Sequence, residues 1–343
     1  MNDQYHFASD NTAGVCPEAW EALRKADSGF EPSYGADTHT ETACRLFREF
    51  FETDCEVFFV FNGTAANSLA LASLCQSYHS VIAHASAHVE TDECGAPEFF
   101  SNGTKLLLGV GQNGKLDVAS AEALVTKRKD IHYPRPRVLS VSQPTELGTC
   151  YTPGELSALS ELALRYGLKI HMDGARFFLS LIHLGVSPSE VTWKVGVDVL
   201  CFGGTKSGLG FSEAVVFFDK NLAEEFDYRC KQSGQLASKM RYLSAPWTDW
   251  LGSGTYVKYA KNAIACARSL AAQASDIPGV ELLYPVEANA VFLRLPPHID
   301  ARLQSCGWKY YRFIGDGTRF MCSWQTKEAD VGRLIADMKS AQP

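Results

Sequence analysis

Short apolar segments alternate with longer amphipathic segments through the middle of the chain, from about residue 56 to residue 218. Short runs rich in valine, leucine and phenylalanine are typical of strands buried on both faces. The predicted strands are residues 56–61, 81–83, 137–142, 168–172, 197–202 and 214–218. Their alternation with helical segments such as residues 65–75 predicts an α/β fold, in which helices cover both faces of a mostly parallel sheet.

The segment from Thr152 to Asp173 shows this alternation most clearly. Thr152 and Glu155 form a capping-box sequence, and apolar residues recur on one helical face until Gly167 ends the helix. Residues 168–172 then return as a strand with Asp173 at its carboxyl end. Because ligands of open α/β sheets bind at the carboxyl ends of the strands, Asp173 is a candidate site residue.

The sequence changes character after Trp250. An alanine-rich helix is predicted at residues 256–274, with short strands at residues 290–295 and 319–323. A chain of 343 residues exceeds the usual size of one hydrophobic core, so a second, smaller domain is expected. The predicted units are an N-terminal segment that packs with the small domain (residues 1–40), a large α/β domain that carries the site (41–250) and a small α+β domain (251–343).

Composition and charge argue against several classes of function. Hydrophobic residues make up 46% of the chain and charged residues 21%, which is ordinary for a globular protein. The formal net charge is -7 and no basic run occurs, so a nucleic-acid partner is not expected. No stretch approaches the ~20 apolar residues of a bilayer span, and the first residues do not resemble a secretion signal, so no membrane partner is expected.

The eleven cysteines do not follow a pattern typical of metal binding. They lack a Cys-x-x-Cys pair and a Cys/His cluster at zinc-binding spacing, so no metal site is expected. Cys75, Cys201 and Cys266 lie in apolar or small-residue runs, where a thiol packs as a small hydrophobic group. Unpaired buried thiols are typical of a reducing compartment, and we expect a cytoplasmic protein.

Two glycine-rich segments resemble nucleotide-binding loops only in part. Residues 109–114 match the pattern G-x-G-x-x-G, but Lys-Leu-Asp follows instead of a helix, so a turn between strands is predicted. Residues 203–207, Gly-Gly-Thr-Lys-Ser, have Thr205 where a P-loop requires glycine. Neither segment is therefore interpreted as a nucleotide site.

Lys206 lies directly after a predicted buried strand and between glycines. An amine in such a place can lose contact with water, which lowers its pKa and makes it a nucleophile toward an aldehyde. The glycines let the backbone pass close to a bound cofactor, and the Thr205 hydroxyl can donate to a phosphate. The alternative is an exposed loop lysine without a chemical role.

The position of Asp173 supports a chemical role for Lys206. Both residues follow consecutive predicted strands, so both can lie at one edge of the sheet. In pyridoxal enzymes such an aspartate pairs with the protonated ring nitrogen and keeps the ring an electron sink. Holding that proton through a shift of ~3 pKa units requires ~4 kcal/mol, more than an exposed ion pair supplies. We therefore predict that Asp173 is buried.

A phosphate site is predicted where the first strand meets its helix. Gly63 and Thr64 can offer backbone N–H groups at the N-terminus of a helix that begins near Ala65. A helix end contributes only about 1–2 kcal/mol toward an anion, so a cation is also expected. Arg241 is the first candidate and Arg176 the second, and a solvated Arg241 is the alternative.

Several segments together resemble the threonine aldolases, which are fold-type-I pyridoxal enzymes of the β-eliminating lyase group. The resemblance rests on residues 61–67 (Phe-Asn-Gly-Thr-Ala-Ala-Asn), Ala87-His88 with Glu93-Cys-Gly, residues 171–177 (His-Met-Asp-Gly-Ala-Arg-Phe) and residues 203–208 (Gly-Gly-Thr-Lys-Ser-Gly). It extends in order from Ser9-Asp10 through Tyr34-Gly-Ala-Asp37 to Thr318-Arg-Phe320. The Met-Asp-Gly-Ala-Arg segment combined with the lysine loop is the most specific part.

The resemblance implies pyridoxal 5'-phosphate as cofactor and a role for each candidate residue. It implies that Lys206 holds the cofactor as a Schiff base, Asp173 meets the ring nitrogen, His88 stacks on the ring, Gly63 and Thr64 hold the phosphate, Arg176 lies beside the ring, and Arg319 and Ser9 bind the substrate carboxylate. It also implies that Tyr34 reaches the site of a neighbouring subunit, so a homodimer or homotetramer is expected.

The chain departs from the family at one position that bears on catalysis. Many members carry a histidine near the substrate hydroxyl, where this chain has Glu146 within residues 143–148. The group that removes the hydroxyl proton therefore stays open between Glu146, His88 and a water molecule. Glu146 can also be a turn carboxylate without a catalytic part.

These features predict a carbon–carbon lyase that cleaves L-threonine and related β-hydroxy-α-amino acids reversibly to glycine and an aldehyde. Within the same fold, an aminotransferase or a β-eliminating lyase is the alternative. From a different class, the alternative is a non-catalytic α/β binding subunit, which would carry no coloured cofactor.

Overall fold

A computed structural model of the chain describes residues 5–313 and 317–341. The helices are α1 (Pro17–Ala26), α2 (Thr38–Phe51), α3 (Gly63–Leu74), α4 (His88–Thr91), α5 (Ala96–Phe100), α6 (Val118–Thr126), α7 (Pro153–Tyr166), α8 (Phe177–Leu184), α9 (Phe226–Gln232), α10 (Arg241–Gly252), α11 (Thr255–Ser275), α12 (Pro297–Ser305) and α13 (Glu328–Lys339). The strands are β1 (Glu56–Val60), β2 (His79–His84), β3 (Lys105–Gly109), β4 (Arg135–Ser142), β5 (Lys169–Gly174), β6 (Val199–Gly203), β7 (Glu213–Phe217), β8 (Glu281–Leu282), β9 (Ala290–Arg294), β10 (Tyr311–Phe313) and β11 (Gly317–Met321).

The larger sheet has seven strands in the order β1-β7-β6-β5-β4-β2-β3. Strands β3, β2, β4, β5 and β6 run parallel, and β7 is antiparallel to both of its neighbours. Strand β7 reverses direction because only a short loop separates it from β6, too short for a helical crossover. The predicted α/β fold with a mostly parallel sheet is confirmed, and each of the predicted strands overlaps an observed one.

Strand β3 was not predicted from the sequence. It lies at the edge of the sheet, and only part of its surface is buried. Its leucines differ in burial, with Leu107 buried and Leu108 41% exposed. Residues 109–114 end this strand and make a 3-10 turn at Gln112–Gly114. The prediction of a turn is confirmed, but the turn leads to α6 and not to a second strand.

Helix α7 forms as its sequence predicts. The Thr152 side chain accepts a hydrogen bond from the N–H of Glu155, and the Glu155 side chain accepts one from the N–H of Thr152, which completes the capping box. Gly167 ends the helix with φ of 65°, a left-handed conformation that glycine adopts without a Cβ clash. The next strand, β5, is therefore delivered with Asp173 near its carboxyl end.

An aromatic cluster holds the centre of the sheet against the helices. Phe202 on β6 is fully buried. Its ring contacts those of Phe47, Phe50, Phe51, Phe177, Trp247 and Trp250, at centroid distances from 5.3 to 6.2 Å. These rings come from α2, α8 and α10, so the carboxyl end of β6 rests on a closely packed core.

The smaller sheet is antiparallel, with the order β10-β11-β9-β8. The predicted long helix is confirmed as α11, which packs with α13 against this sheet. Phe7 belongs to the same hydrophobic cluster, and its carbonyl accepts a hydrogen bond of 2.9 Å from the N–H of Met321. The N-terminal segment therefore packs on the small sheet. Throughout the described residues, every helix is too short or too polar to span a bilayer.

We predict that Leu200→Ala on β6 lowers the free energy of unfolding by about 2–5 kcal/mol, because it leaves a cavity in a fully packed core. Leu200 has 0% exposure, whereas Leu164 on α7 has 85%. The matched control Leu164→Ala should change the free energy by no more than about 0.5 kcal/mol. Denaturant unfolding of both variants at one protein concentration measures the difference, and equal losses would contradict the proposed core.

Candidate active site

Lys206 lies in a short helical turn directly after β6. Two glycines allow this turn to pack against its surroundings. A Cβ on Gly203 would lie 2.0 Å from the carbonyl oxygen of Ala175, and a Cβ on Gly204 would lie 2.4 Å from that of Ser212. Both approaches are too close for any side chain, so the glycines of the predicted motif are required by backbone packing. The backbone of the lysine turn is therefore fixed on both sides.

The Lys206 side chain faces a cavity of about 500 Å³. Residues predicted as site residues from the sequence line this cavity together: Ser9, His88, Glu146, Arg176, Lys206 and Arg319. The lining also includes residues that were not predicted from the sequence: Asn11, Thr12, Asp92, Tyr311 and Arg312. The cavity thus combines an amine, an imidazole, carboxylates and guanidinium groups within one small volume.

Asp173 is buried, as predicted, with 5% exposure. Its Oδ1 accepts a hydrogen bond of 3.0 Å from the N–H of Ala175, and its Oδ2 accepts one of 3.0 Å from Nδ2 of Asn67. Burial alone would raise the pKa of the carboxyl, but the charge of His88, the Ala175 N–H and the charge of Lys206 bring the pKa below its ordinary value. Asp173 therefore stays an anion.

His88 is connected to Asp173 through a buried hydrogen-bond network. The Nδ1 of His88 donates to Oε1 of Glu93 at 2.8 Å, and Nδ2 of Asn67 donates to the same oxygen at 2.8 Å. Burial lowers the pKa of His88, but Glu93, Asp173 and Glu146 outweigh it and raise the pKa above its ordinary value. Burial raises the pKa of Glu93. This hydrogen bond therefore joins an imidazole and a carboxyl group whose pKa values are both above their ordinary values.

The network contains buried polar atoms whose hydrogen-bonding capacity is not used. In the part of the chain that the structure describes, Oδ1 of Asn67 and Oε2 of Glu93 have no hydrogen-bond partner. The donors to Asp173 are neutral, so its negative charge is available to a cationic group. Ligand atoms of His88, Glu93 and Asp173 lie within 4.8 Å of one another, a spacing that can also hold a metal ion. The neutral donors and the nearby amine fit a protonated ring nitrogen better.

His171 lies behind Asp173 on the same strand and is fully buried. Its Nδ1 is 2.9 Å from Oγ of Ser140, and its Nε2 is 3.3 Å from Sγ of Cys201. Burial lowers the pKa of His171 to about 4. The imidazole is therefore neutral and does not compete for the charge of Asp173.

Arg176 is anchored by a carboxylate from the N-terminal segment. Its Nε and Nη2 donate to the two oxygens of Asp10 at 2.5 and 3.0 Å, and Asp10 is buried. Burial opposes the charge of Arg176, but Asp10 raises its pKa above the ordinary value. Burial and the charge of Arg176 lower the pKa of Arg319. The negative charge of Glu146 partly offsets this decrease. Two guanidinium groups that repel each other favour an anion between them.

Gly63 and Thr64 form the first turn of α3, which begins two residues earlier than predicted. The Asn62 side chain caps this helix by accepting a hydrogen bond of 2.9 Å from the N–H of Ala65. Next to the cap, the Phe61 ring stacks on Phe211 at 5.4 Å, which joins this turn to the loop that follows Lys206. The predicted phosphate cradle and the lysine turn are therefore neighbours.

Tyr34 and Arg241 lie apart from this cavity. Neither Tyr34 nor Arg241 is among the described residues that line the cavity. Tyr34 is half exposed with φ of 60°, and Nζ of Lys231 lies 4.7 Å from the centre of its ring. The N–H of Tyr34 donates to the carbonyl of Ser238 at 3.1 Å, three residues before Arg241 begins α10. Tyr34 therefore lies next to the segment that leads into α10, where Nε of Arg241 is buried.

Comparison with known proteins supports the family resemblance that the sequence motifs indicate. A sequence model of the family described as beta-eliminating lyase matches residues 6–296. A low specificity L-threonine aldolase from Pseudomonas sp. is 58% identical over 342 residues, which cover 99% of each chain. A second, from Pseudomonas aeruginosa, is 59% identical over 335 residues, which cover 97% of this chain and 96% of that protein.

A solved structure of Leishmania major threonine aldolase superposes on this chain with a TM-score of 0.92. The match covers 98% of this chain and 99% of the other, with 27% sequence identity. The superposition confirms the fold-type-I architecture that the sequence motifs imply. From the family match and the two full-length bacterial relatives, the chain belongs to the beta-eliminating lyase family, in its threonine aldolase branch.

Proposed function

We propose that this protein cleaves L-threonine and related β-hydroxy-α-amino acids reversibly to glycine and an aldehyde. The observation that carries the proposal is the cavity that Lys206 shares with Arg319 and with Arg176, which Asp10 holds in place. Lys206 follows the strand next to the one that carries the buried, anionic Asp173. The full-length similarity to enzymes named low specificity L-threonine aldolase supports the substrate class.

The residues of the cavity fit pyridoxal 5'-phosphate as the cofactor. Lys206 would hold it covalently, Asp173 would pair with its ring nitrogen, and His88 would lie against the ring. The N–H groups of Gly63 and Thr64 would bind the phosphate. The Thr205 hydroxyl, which was predicted to help, is instead hydrogen-bonded to Glu213. When bound, the cofactor supplies an electron sink for the bond that breaks at the substrate α-carbon.

Arg319 and Ser9 bind the substrate carboxylate. Arg319 is half-buried in the cavity wall, and Arg176 is held beside it by Asp10, so a carboxylate relieves the repulsion between the two guanidinium groups. A bidentate grip on the carboxylate fixes the orientation of the substrate about its α-carbon. That orientation would decide which bond at the α-carbon is cleaved.

His88 is the group that takes the proton from the β-hydroxyl. It lines the cavity, and its hydrogen bond to Glu93 leaves the Nε2 atom available to accept a proton. Burial lowers its pKa, but the surrounding carboxylates raise it above the ordinary value, which strengthens it as a base. Glu146 lines the same cavity and supports His88 through its negative charge.

The active form is a homodimer or homotetramer in the cytoplasm. Tyr34 lies next to the segment that leads to Arg241, and neither residue lines the cavity of its own Lys206, which suits residues that serve the site of a neighbouring subunit. Arg241 then supplies the cation for the cofactor phosphate. All eleven cysteines are unpaired thiols, which supports a reducing compartment.

Borohydride reduction of the purified protein should fix the cofactor on the peptide that contains Lys206. The Lys206→Arg variant keeps the charge but should lose the covalent link and the release of glycine and acetaldehyde from L-threonine. Lys261→Arg, at an exposed position on α11, is the matched control and should keep both. A label on another peptide would refute the site.

Pyruvate and ammonia as products, or a requirement for a 2-oxo acid, would instead favour a β-eliminating lyase or an aminotransferase.

His88→Asn should lower kcat for L-threonine cleavage by about 100-fold or more, because it removes the proposed base. Glu146→Gln should lower kcat by less than about tenfold, since it removes only a supporting charge. Steady-state kinetics with threonine and with phenylserine measure both effects. A larger loss in Glu146→Gln would assign the base to Glu146, and small losses in both variants would assign it to water.

Glu93→Gln should lower the pKa of His88 by about one unit, because the variant no longer offers a negative charge to the imidazolium. The pKa can be measured by NMR titration of the His88 ring in the cofactor-free protein. Glu90→Gln, on the exposed side of α4, is the control and should leave the pKa unchanged. An unchanged pKa in Glu93→Gln would contradict the proposed pairing.

A further inference from the structure

Glu213 is a buried carboxylate that has no part in the mechanism described above. It is the first residue of β7, and in the sheet it lies between Val60 on β1 and Gly203 on β6. Its side chain is almost inaccessible, with 6% exposure. A buried acid at the end of a strand requires a compensating interaction, since burial without one is costly.

The compensating interaction comes from the turn that carries Lys206. The Oε2 atom of Glu213 accepts a hydrogen bond of 2.7 Å from the N–H of Gly204. Burial raises the pKa of Glu213 to about 7, although hydrogen bonding from Thr205 and Gly204 and the charge of Lys206 oppose this rise. The hydrogen-bond donors are neutral, and Lys206 supplies the positive charge that acts on Glu213. Glu213 is therefore joined to the lysine turn by both geometry and charge.

Lys206 interacts with titratable groups from four parts of the fold. They are Asp10 in the N-terminal segment, His88 on α4, Asp173 on β5 and Glu213 on β7. Asp10 is already paired with Arg176, and Asp173 is assigned to the cofactor ring nitrogen. The thiol of Cys201 also faces Glu213, but burial keeps its pKa far above the ordinary value, so it carries no charge. Above about pH 7, where its carboxyl is ionised, Glu213 is thus the carboxylate whose charge is left for Lys206.

We propose that Glu213 is a positioning residue for the reaction: its carboxylate fixes the turn that carries Thr205 and Lys206, and its negative charge favours the protonated form of the nitrogen that Lys206 contributes. The inference rests on the proposed function, in which Lys206 holds the cofactor. The hydrogen bond to Gly204 determines where the turn lies, and the charge acts on the link between lysine and cofactor. The two effects are separable, because an amide oxygen can replace the acceptor but not the charge.

Two variants of the holoenzyme separate these effects. Glu213→Gln keeps an acceptor for the Gly204 N–H and removes the charge, whereas Glu213→Ala removes both. Glu56→Gln is the control, since Glu56 stands at the opposite end of the same strand pair and its carboxylate contacts Lys220. The measurements are the pH midpoint of the cofactor absorbance without substrate and the dissociation constant of pyridoxal phosphate from the cofactor-free protein.

In Glu213→Gln the pH midpoint should fall by about one unit, because a negative charge that favoured the protonated nitrogen is gone. Its dissociation constant should stay within about twofold of the wild type, because the amide oxygen still accepts the hydrogen bond from the Gly204 N–H. In Glu213→Ala the dissociation constant should rise by about tenfold, because the turn loses its hydrogen bond to a charged acceptor. Glu56→Gln should leave both quantities unchanged.

An unchanged midpoint in Glu213→Gln would overturn the electrostatic role, and an unchanged dissociation constant in Glu213→Ala would overturn the positioning role. Equal weakening in both variants with a constant midpoint would also overturn the proposal, because it indicates a purely structural residue. If Glu213→Ala does not fold, the midpoint of the isosteric Glu213→Gln variant decides. A wild-type protein that takes up no cofactor on Lys206 would refute the proposed function instead, which the same absorbance measurement reveals first.

Discussion

The site depends on the fact that two parallel strands end side by side. Strands β5 and β6 are neighbours in register, with Asp173 opposite Cys201, and the chain continues from β6 directly into the turn of Lys206. An anion and an amine are thereby held at one edge of the sheet, where a planar cofactor can touch both. The aromatic cluster around Phe202 keeps β6 in place, and Gly203 keeps the turn against Ala175. The positions of the reactive groups therefore derive from the packing of the sheet.

Charge balance is the second constraint. Burial of Asp173, Glu93, Asp10 and Glu213 in one region would be prohibitive if each charge were uncompensated. Asp10 has Arg176, Glu93 has His88, and Asp173 and Glu213 accept hydrogen bonds from neutral groups while they face Lys206. The arrangement of carboxylates and cations in this region is therefore suited to a ligand that brings both a cationic ring nitrogen and an anionic phosphate.

Local sequence signals were sufficient to locate Asp173 and Lys206 at one edge of the sheet but not to find their partners. Asp173 and Lys206 follow apolar strands, and the glycines around Lys206 mark a close backbone approach, so both could be found from short segments. Asn67 lies 106 positions from Asp173, and Asp10 lies 166 positions from Arg176. These pairings arise from tertiary packing, which no local pattern encodes. Glu213 was not predicted as a site residue, because a glutamate at the start of an apolar strand ordinarily faces solvent.

The ion pair between Asp10 and Arg176 connects the segment that packs on the small sheet with the large sheet. Phe7 belongs to the core of the small sheet, whereas three residues later Asp10 is attached to the end of β5 in the large sheet. The amino-terminal segment therefore links the two sheets beside the cavity, and separating them at this side would expose a guanidinium and a carboxylate without their partners. Removal of the chain through Asp10 would break this link.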